Sequence, residues 1–248
     1  MLIFLIKLYP NCLHLKFDLH RWNKEKQKND LKGENIMKIG IIGAAGKAGN
    51  LILKEALNRG HDVTAIVRNA SKVKENVSVI EKDLFDLTTE DLKAYDVVVN
   101  AFAAPIGQEH LYIDATNALI EVLKNAPNTR LIVIGGAGSL YVDEEKTTPL
   151  YKTPDFPDFI YPTAENAAKS LEILQQTDSI KWTFISPAAE FDYEGKRTGS
   201  YQKGKDHLIF NSKGKSYVSY ADFAIALVDE IENPQHINER FTVVSESE

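Results

Sequence analysis

The sequence predicts an α/β fold, a doubly wound parallel sheet with helices on both faces, forming a single domain that begins at Met37. Three observations carry this prediction. Short apolar runs alternate with helical periodicity from Met37 to the end of the chain. A glycine-rich turn joins the first run to the first helix. The 36 residues before Met37 differ in composition from everything that follows.

Residues 38–42 form an apolar strand that runs into Gly43. A helix follows over 47–59, with Ile52 and Ala56, and Leu53 and Leu57, at i, i+4 spacing toward the sheet. Gly60 caps its end. Strands are expected over 63–67 and 77–80, a short helix over 87–93, a fourth strand over 96–100 and a longer helix over 111–124. A fifth strand over 130–134 ends in Gly135-Gly-Ala-Gly-Ser139.

Beyond it, residues 141–159 are a loop rich in Pro, Asp and aromatics, and Pro162 opens a helix that reaches Leu174. A sixth strand over 182–185 is halted by Pro187. Residues 188–216 are polar and Gly-rich, too short for a second core, and read as a small C-terminal cap on the substrate side. A helix over 220–231 and a strand over 241–244 complete the chain. The expected strand order is 3-2-1-4-5-6, with the loop 43–49 at the carboxyl edge.

The first 36 residues hold seven Lys/Arg and four Asp/Glu, and the other 212 hold 22 and 31. The apolar start, residues 1–6, ends at Lys7 with no basic region before it and no small-residue cleavage site after it, so it is not a secretory signal. Residues 20–34 are dense in Lys, Asn, Gln and Asp without periodicity. Lys32-Gly33-Glu34 is what a purine-rich bacterial ribosome-binding site yields when read in frame, and Met37 follows at a suitable distance. The expectation is that residues 1–36 are a disordered leader outside the native protein, and that Met37 is the native start.

A net charge of −6 argues against a broad nucleic-acid surface, which needs a concentrated basic stripe. No apolar run reaches the roughly 18 residues of a membrane span. One cysteine, Cys12, excludes an internal disulfide and fits a cytoplasmic location. His61, His110, His207 and His236 lack metal-ligand spacing, so no metal is expected.

The strongest motif is Gly43-Ala-Ala-Gly46-Lys-Ala-Gly49, between a strand and an amphipathic helix. Gly43 permits the tight turn, Gly46 lets backbone approach a pyrophosphate, and Gly49 lets helix and strand pack closely. The helix start, with Ala45, Lys47 and Ala48, presents free N–H groups to the anion. At the end of the second strand an NAD-preferring site carries an acidic residue; here stands Val67-Arg68-Asn69. Arg68 offers a planar cationic fork for a 2′-phosphate, with Lys72 and Lys47 adding charge. NADP(H) is therefore expected over NAD(H), although Arg68 also reads as a solvated strand-end arginine. Asp83 and Leu84 are expected near the adenine, and Asn100, Ala101 and Phe102 near the ribose and nicotinamide. Gly135 and Pro187, at the ends of the fifth and sixth strands, complete the cofactor site.

The glycine motif, Val67-Arg-Asn69 and Ile134-Gly-Gly-Ala-Gly-Ser139 together resemble atypical short-chain dehydrogenases of the NmrA-like type. The stretch from Met37 onward is similar to the bacterial NADH-flavin reductase family, itself similar to biliverdin-IXβ reductase. This likeness rests on Trp182-Thr-Phe-Ile-Ser-Pro187, Glu194-Gly-Lys-Arg-Thr-Gly199, Gly214-Lys-Ser216, Tyr220-Ala-Asp222 and Arg240-Phe-Thr-Val243. It implies a Rossmann fold, bound NADP(H), and a flavin (FMN or FAD) or quinone-like planar acceptor, in a monomer or homodimer.

Carbonyl-reducing short-chain dehydrogenases use a Tyr-x-x-x-Lys pair and a nearby Ser, the Lys lowering the Tyr pKa. Here Tyr161 stands at the start of the expected helix, but Glu165 occupies the Lys position and Lys169 comes one turn later. Ser139 follows the fifth strand. Tyr161 and Ser139 are the catalytic candidates; read more plainly, one is a capping aromatic and the other a loop residue. The missing pair fits hydride transfer to a flavin, which needs two rings held in register. Phe102, Tyr151, Phe156, Phe191 and Tyr193 are candidate walls, though each also reads as ordinary packing. The rival reading is a non-catalytic, NmrA-like NADP(H)-sensing regulator. A third is an extended-type epimerase, a class that keeps Tyr-x-x-x-Lys.

Overall fold

Each strand expected between Met37 and Pro187 is present, within one residue or two of its sequence bounds. The computed structural model describes residues 36–246, so the leader expectation lies outside the described residues. In chain order the elements are β1 (Lys38–Ile42), α1 (Lys47–Asn58), β2 (Asp62–Val67), β3 (Ser78–Glu81), α2 (Thr89–Leu92), β4 (Val97–Asn100) and α3 (Leu111–Leu123). Then come β5 (Arg130–Ile134), α4 (Tyr161–Gln175), β6 (Lys181–Ser186), β7 (Glu190–Asp192), β8 (Gln202–Gly204), β9 (Tyr217–Ser219), α5 (Tyr220–Glu232) and β10 (Glu239–Val244).

The main sheet has the order β3-β2-β1-β4-β5-β6-β10-β8. The expected 3-2-1-4-5-6 order is therefore present and is extended by two strands. All its neighbours are parallel except β8, which lies antiparallel on β10. The fold is Rossmann-like. The segment after Pro187 is less separate than the sequence suggests. β8 returns to the main sheet, while β7 and β9 pair in parallel as a two-stranded satellite.

Alternation along the buried strands divides the core. Ile39, Ile41, Val97 and Val99 pack in the cluster that holds Ile52, Leu53 and Ala56 of α1 and Leu227 and Val228 of α5. Val98, Leu131 and Val133 join Leu119 and Leu123 of α3 and Leu171 and Leu174 of α4 on the other side. Successive residues point to opposite faces, so a strand covered on both sides must be apolar throughout. Gly60, at φ 88°, ends α1 in the left-handed conformation that glycine adopts without penalty.

Charged groups tie the helices at the opposite, amino edge of the sheet. Arg130, the first residue of β5, is buried and donates to Glu230 Oε1 at 3.1 Å and to the Glu230 carbonyl at 2.8 Å. The same carboxylate meets His236 Nδ1 at 2.7 Å and accepts from the backbone N–H of Gln235 and His236. Arg59 at the end of α1 donates to Glu55, Asp229 and Glu232, which binds α1 to α5.

Candidate functional site

The glycine loop sits at the carboxyl end of β1, between β2 and β4, where the chain order of the sheet reverses. Gly43 has φ 75°, and a Cβ there would lie 2.8 Å from the Ala101 carbonyl oxygen. At Gly49 a Cβ would lie 2.3 Å from the Gly43 carbonyl oxygen, so helix and turn touch through backbone alone. Gly46 is different. Its Cβ would meet only the Gly43 oxygen, at 3.1 Å, so protein packing does not by itself demand glycine there. Gly46 precedes α1 as its N-cap and its carbonyl accepts from Asn50 N–H. The N–H groups of Lys47, Ala48 and Gly49 thus begin the helix without intrahelical partners, a ready anion site.

A groove of about 300 Å³ runs from this loop past the ends of β2 and β3. Of the residues expected to hold the cofactor, Gly43, Ala45, Gly46, Arg68, Asn69, Lys72, Asp83 and Leu84 line it. Lys82 also lines it, but its ammonium is held by both carboxylate oxygens of Asp91, at 2.8 and 2.7 Å. Arg68 and Lys72 make no side-chain hydrogen bond or ion pair with any described residue. Asn69 accepts from the N–H and hydroxyl of Ser71, and Asp83 from the N–H of Phe85; each fixes a short 3₁₀ turn at the groove rim. These two side chains shape the wall, each with its Oδ1 engaged in the turn.

A second, larger cleft of about 750 Å³ adjoins the groove, and Ala101, Phe102 and Ala103 line both. Its walls come from the ends of β4, β5 and β6, and from the starts of α3, α4 and α5. Ala48, Gly135 and Pro187, expected at the cofactor, and Phe156 and Phe191, expected as acceptor walls, all line it. Asn100 is buried; its side-chain carbonyl accepts from Phe102 N–H at 3.1 Å. Asn100 therefore positions the Phe102 segment and does not line either cavity. Gly135 is packed so closely that a Cβ would lie 2.0 Å from the Phe184 ring.

Several expected residues fall elsewhere. Ser139 does not line the cleft. The turn Ala137–Ser139 carries it to Arg240, which donates to its carbonyl at 2.8 Å and its hydroxyl at 3.1 Å. Tyr161 is also outside the cleft lining, partly exposed, with its ring edge-on to Tyr151 at 5.6 Å. The α4 residues that do line the cleft are Thr163, Ala164 and Ala167. Lys169 pairs with Glu165. Neither catalytic candidate is thus brought to the cleft, because the helix starts at Tyr161 and presents the next turn inward. Tyr151 is buried in the packing beneath the loop, and Tyr193 lies under the Lys47 ammonium, 4.7 Å from its ring centre.

Two aromatic wall residues escape the sequence reading, Tyr112 in the first turn of α3 and Tyr220, the first residue of α5. Tyr220 stacks on Phe191 with centroids 3.7 Å apart and planes 23° apart. Burial pushes both phenols up from their ordinary value, so both stay protonated at neutral pH. Tyr112 also meets Phe102 edge-on at 6.2 Å. An aromatic in the first turn of a helix that starts at the carboxyl edge was the available signal.

The remaining motif residues hold the cleft's border. Buried Asp222 accepts from Thr198 N–H and hydroxyl and from Gly199 N–H, while its own N–H donates to Ser219 Oγ. Arg197 reaches both oxygens of Glu55 on α1, at 3.2 and 3.1 Å. The loop after β7 is thereby fastened to α5 and to the helix behind the glycine turn.

Among the described residues, no group of His, Cys, Asp and Glu is arranged to hold a metal ion, and no helix is long and apolar enough to cross a membrane.

Comparison with known proteins agrees with the geometry. Residues 43–234 match a family model described as NAD(P)H-binding. The uncharacterized protein YwnB of Bacillus subtilis (strain 168) is 68% identical over 213 residues, covering 86% of this chain and all of that protein. A proposed NADH-flavin reductase of Streptococcus pneumoniae TIGR4 is similar in structure, with a TM-score of 0.81 and 44% identity over 85% of this chain and 100% of that one. A proposed epimerase of Bacteroides thetaiotaomicron follows, with a TM-score of 0.77 and 36% identity over 86% of this chain and 100% of that one. Glycine turn, free helix N-terminus and matched family together lead to one conclusion: the chain belongs to the NAD(P)H-binding family.

Proposed function

We propose that this protein is an NADPH-dependent reductase that passes hydride to a planar acceptor of flavin or quinone type. The observation that carries the reading is the continuity of two unlike cavities through Ala101, Phe102 and Ala103. One has the glycine turn at the α1 N-terminus and two cations, Arg68 and Lys72, that pair with no described residue; the other is apolar and aromatic. When bound, the nicotinamide cofactor supplies the hydride. The groove residues Gly43, Gly46, Arg68 and Lys72 hold its phosphates, and the cleft excludes water and keeps the acceptor ring in register.

The similarity to a proposed NADH-flavin reductase supports this reading. The proposed epimerase among the relatives has less support here, because Tyr161 and Lys169 form no pair and neither lines the cleft. Purified protein should oxidise NADPH steadily with riboflavin, FMN or menadione. Tight NADPH binding without turnover on any of them would replace this reading with a sensor.

Arg68 and Lys72 favour NADPH over NADH. A charge-assisted hydrogen bond contributes roughly 1.5–3 kcal/mol, so Arg68→Ala is expected to weaken NADPH binding about ten- to a hundredfold. NADH binding should hardly change. Equal losses for both, measured by calorimetry, would show that Arg68 does not read the 2′-phosphate.

Because Ser139 and Tyr161 lie outside the cleft, Ser139→Ala and Tyr161→Phe should each keep kcat within about threefold, far from the roughly 10²–10⁴-fold expected on losing a general acid. A thousandfold fall in Tyr161→Phe with cofactor binding intact would return the protein to the carbonyl reductases.

A further inference from the structure

The two cavities differ in charge as sharply as in shape. The groove is lined by three cations, Arg68, Lys72 and Lys82, the last held by Asp91, and by one carboxylate, Asp83. Among the described residues, no Lys, Arg or His lines the cleft, and Asp155 is the single charged residue that does. The cations nearest in sequence to its walls are turned to other tasks. Lys47 stands 4.7 Å over the Tyr193 ring, and Lys152 stands 5.5 Å over the Tyr151 ring; neither lines the cleft. Its polar groups are few, and the Thr153 hydroxyl already donates to the Leu150 carbonyl. The tyrosines contribute neutral phenols, since burial raises both.

We propose that the acceptor cleft selects an uncharged ring system, and that Asp155 at its mouth discriminates against acceptors bearing a phosphate or sulfonate. This rests on the reductase reading and names the substrate class within it. Phe102, Tyr112, Phe156, Phe191 and Tyr220 give the cleft an aromatic lining suited to a planar ring. An anionic tail gains no cation and meets a like charge on Asp155, in a protein that is itself net negative. Riboflavin, or an uncharged naphthoquinone such as menadione, satisfies the cleft; FMN carries a dianion into it.

The test compares acceptors that share a ring and differ in one anionic group. Riboflavin is paired with FMN, and menadione with a sulfonated naphthoquinone. Binding to the complex with oxidised NADP is followed by quenching of flavin fluorescence at low ionic strength, and kcat/KM by NADPH oxidation. The uncharged member of each pair should be favoured by at least about fivefold. In Asp155→Asn the riboflavin-to-FMN ratio should fall to within about twofold of unity. FMN bound and reduced as well as riboflavin would overturn the proposal while leaving the reductase reading intact. A ratio unchanged in Asp155→Asn would also overturn it. If no acceptor is bound or reduced, the reductase reading fails and the proposal fails with it.

Discussion

Glu230→Ala is expected to cost about 3–5 kcal/mol of stability, the price of leaving a charge buried without its counter-ion. Glu230 is the acceptor for Arg130, for the His236 ring and for two backbone N–H groups, all at the amino edge of the sheet. Truncation strands the Arg130 guanidinium in the core, with backbone carbonyls and Thr183 as its remaining acceptors. For a domain of this size the melting temperature should fall by roughly 6–20 °C. NADPH affinity at 25 °C should be unchanged, because the cleft lies at the carboxyl edge. The double variant Arg130→Met, Glu230→Met should recover only part of the loss, since an apolar pair removes both charges but leaves the Gln235 and His236 N–H groups without their acceptor. A melting temperature within 2 °C of wild type (roughly 1 kcal/mol or less) in Glu230→Ala would show that the network is not structural.

Gly46→Val separates binding from folding. The Cβ at this position meets only one backbone oxygen, at 3.1 Å, so the fold should survive with a melting temperature a few degrees lower. The new side chain projects into the space in front of the α1 N–H groups, where a pyrophosphate must approach. NADPH binding is expected to fall at least about 100-fold. Gly49→Val makes the contrast, because its Cβ would overlap the Gly43 carbonyl at 2.3 Å, and soluble protein should be lost. Calorimetric titration of both variants beside their melting curves decides the matter. Undiminished NADPH binding in Gly46→Val would place the dinucleotide elsewhere.

The main sheet was legible because each of its six leading strands is an apolar run bounded by glycine, proline or a polar turn. β7, β8 and β9 were not, since three residues give a period of two no room to show itself. The dinucleotide loop was legible for a related reason: backbone chemistry demands glycine at fixed spacing. The larger cleft depends on which turn of a helix meets the sheet edge. Tyr161 and Ser139 sit near the right places in the chain, yet a single 3₁₀ turn and the first turn of α4 aim them away. Tyr112 and Tyr220 read locally as helix residues, and only the assembled edge makes them a wall.

The contact between Gly135 and Phe184 carries an evolutionary consequence. Any side chain at 135 collides with the Phe184 ring, whose Cε1 would lie 2.0 Å from the new Cβ. Shrinking Phe184 first would open a core cavity costing up to about 3–5 kcal/mol. Neither single step is tolerable, so drift can change the two positions only together. Across relatives the pair should either persist as Gly and Phe or switch jointly, a larger residue on β5 matched by a smaller one on β6. The floor of the cleft is therefore expected to be held by packing alone, whatever ligand lies above it.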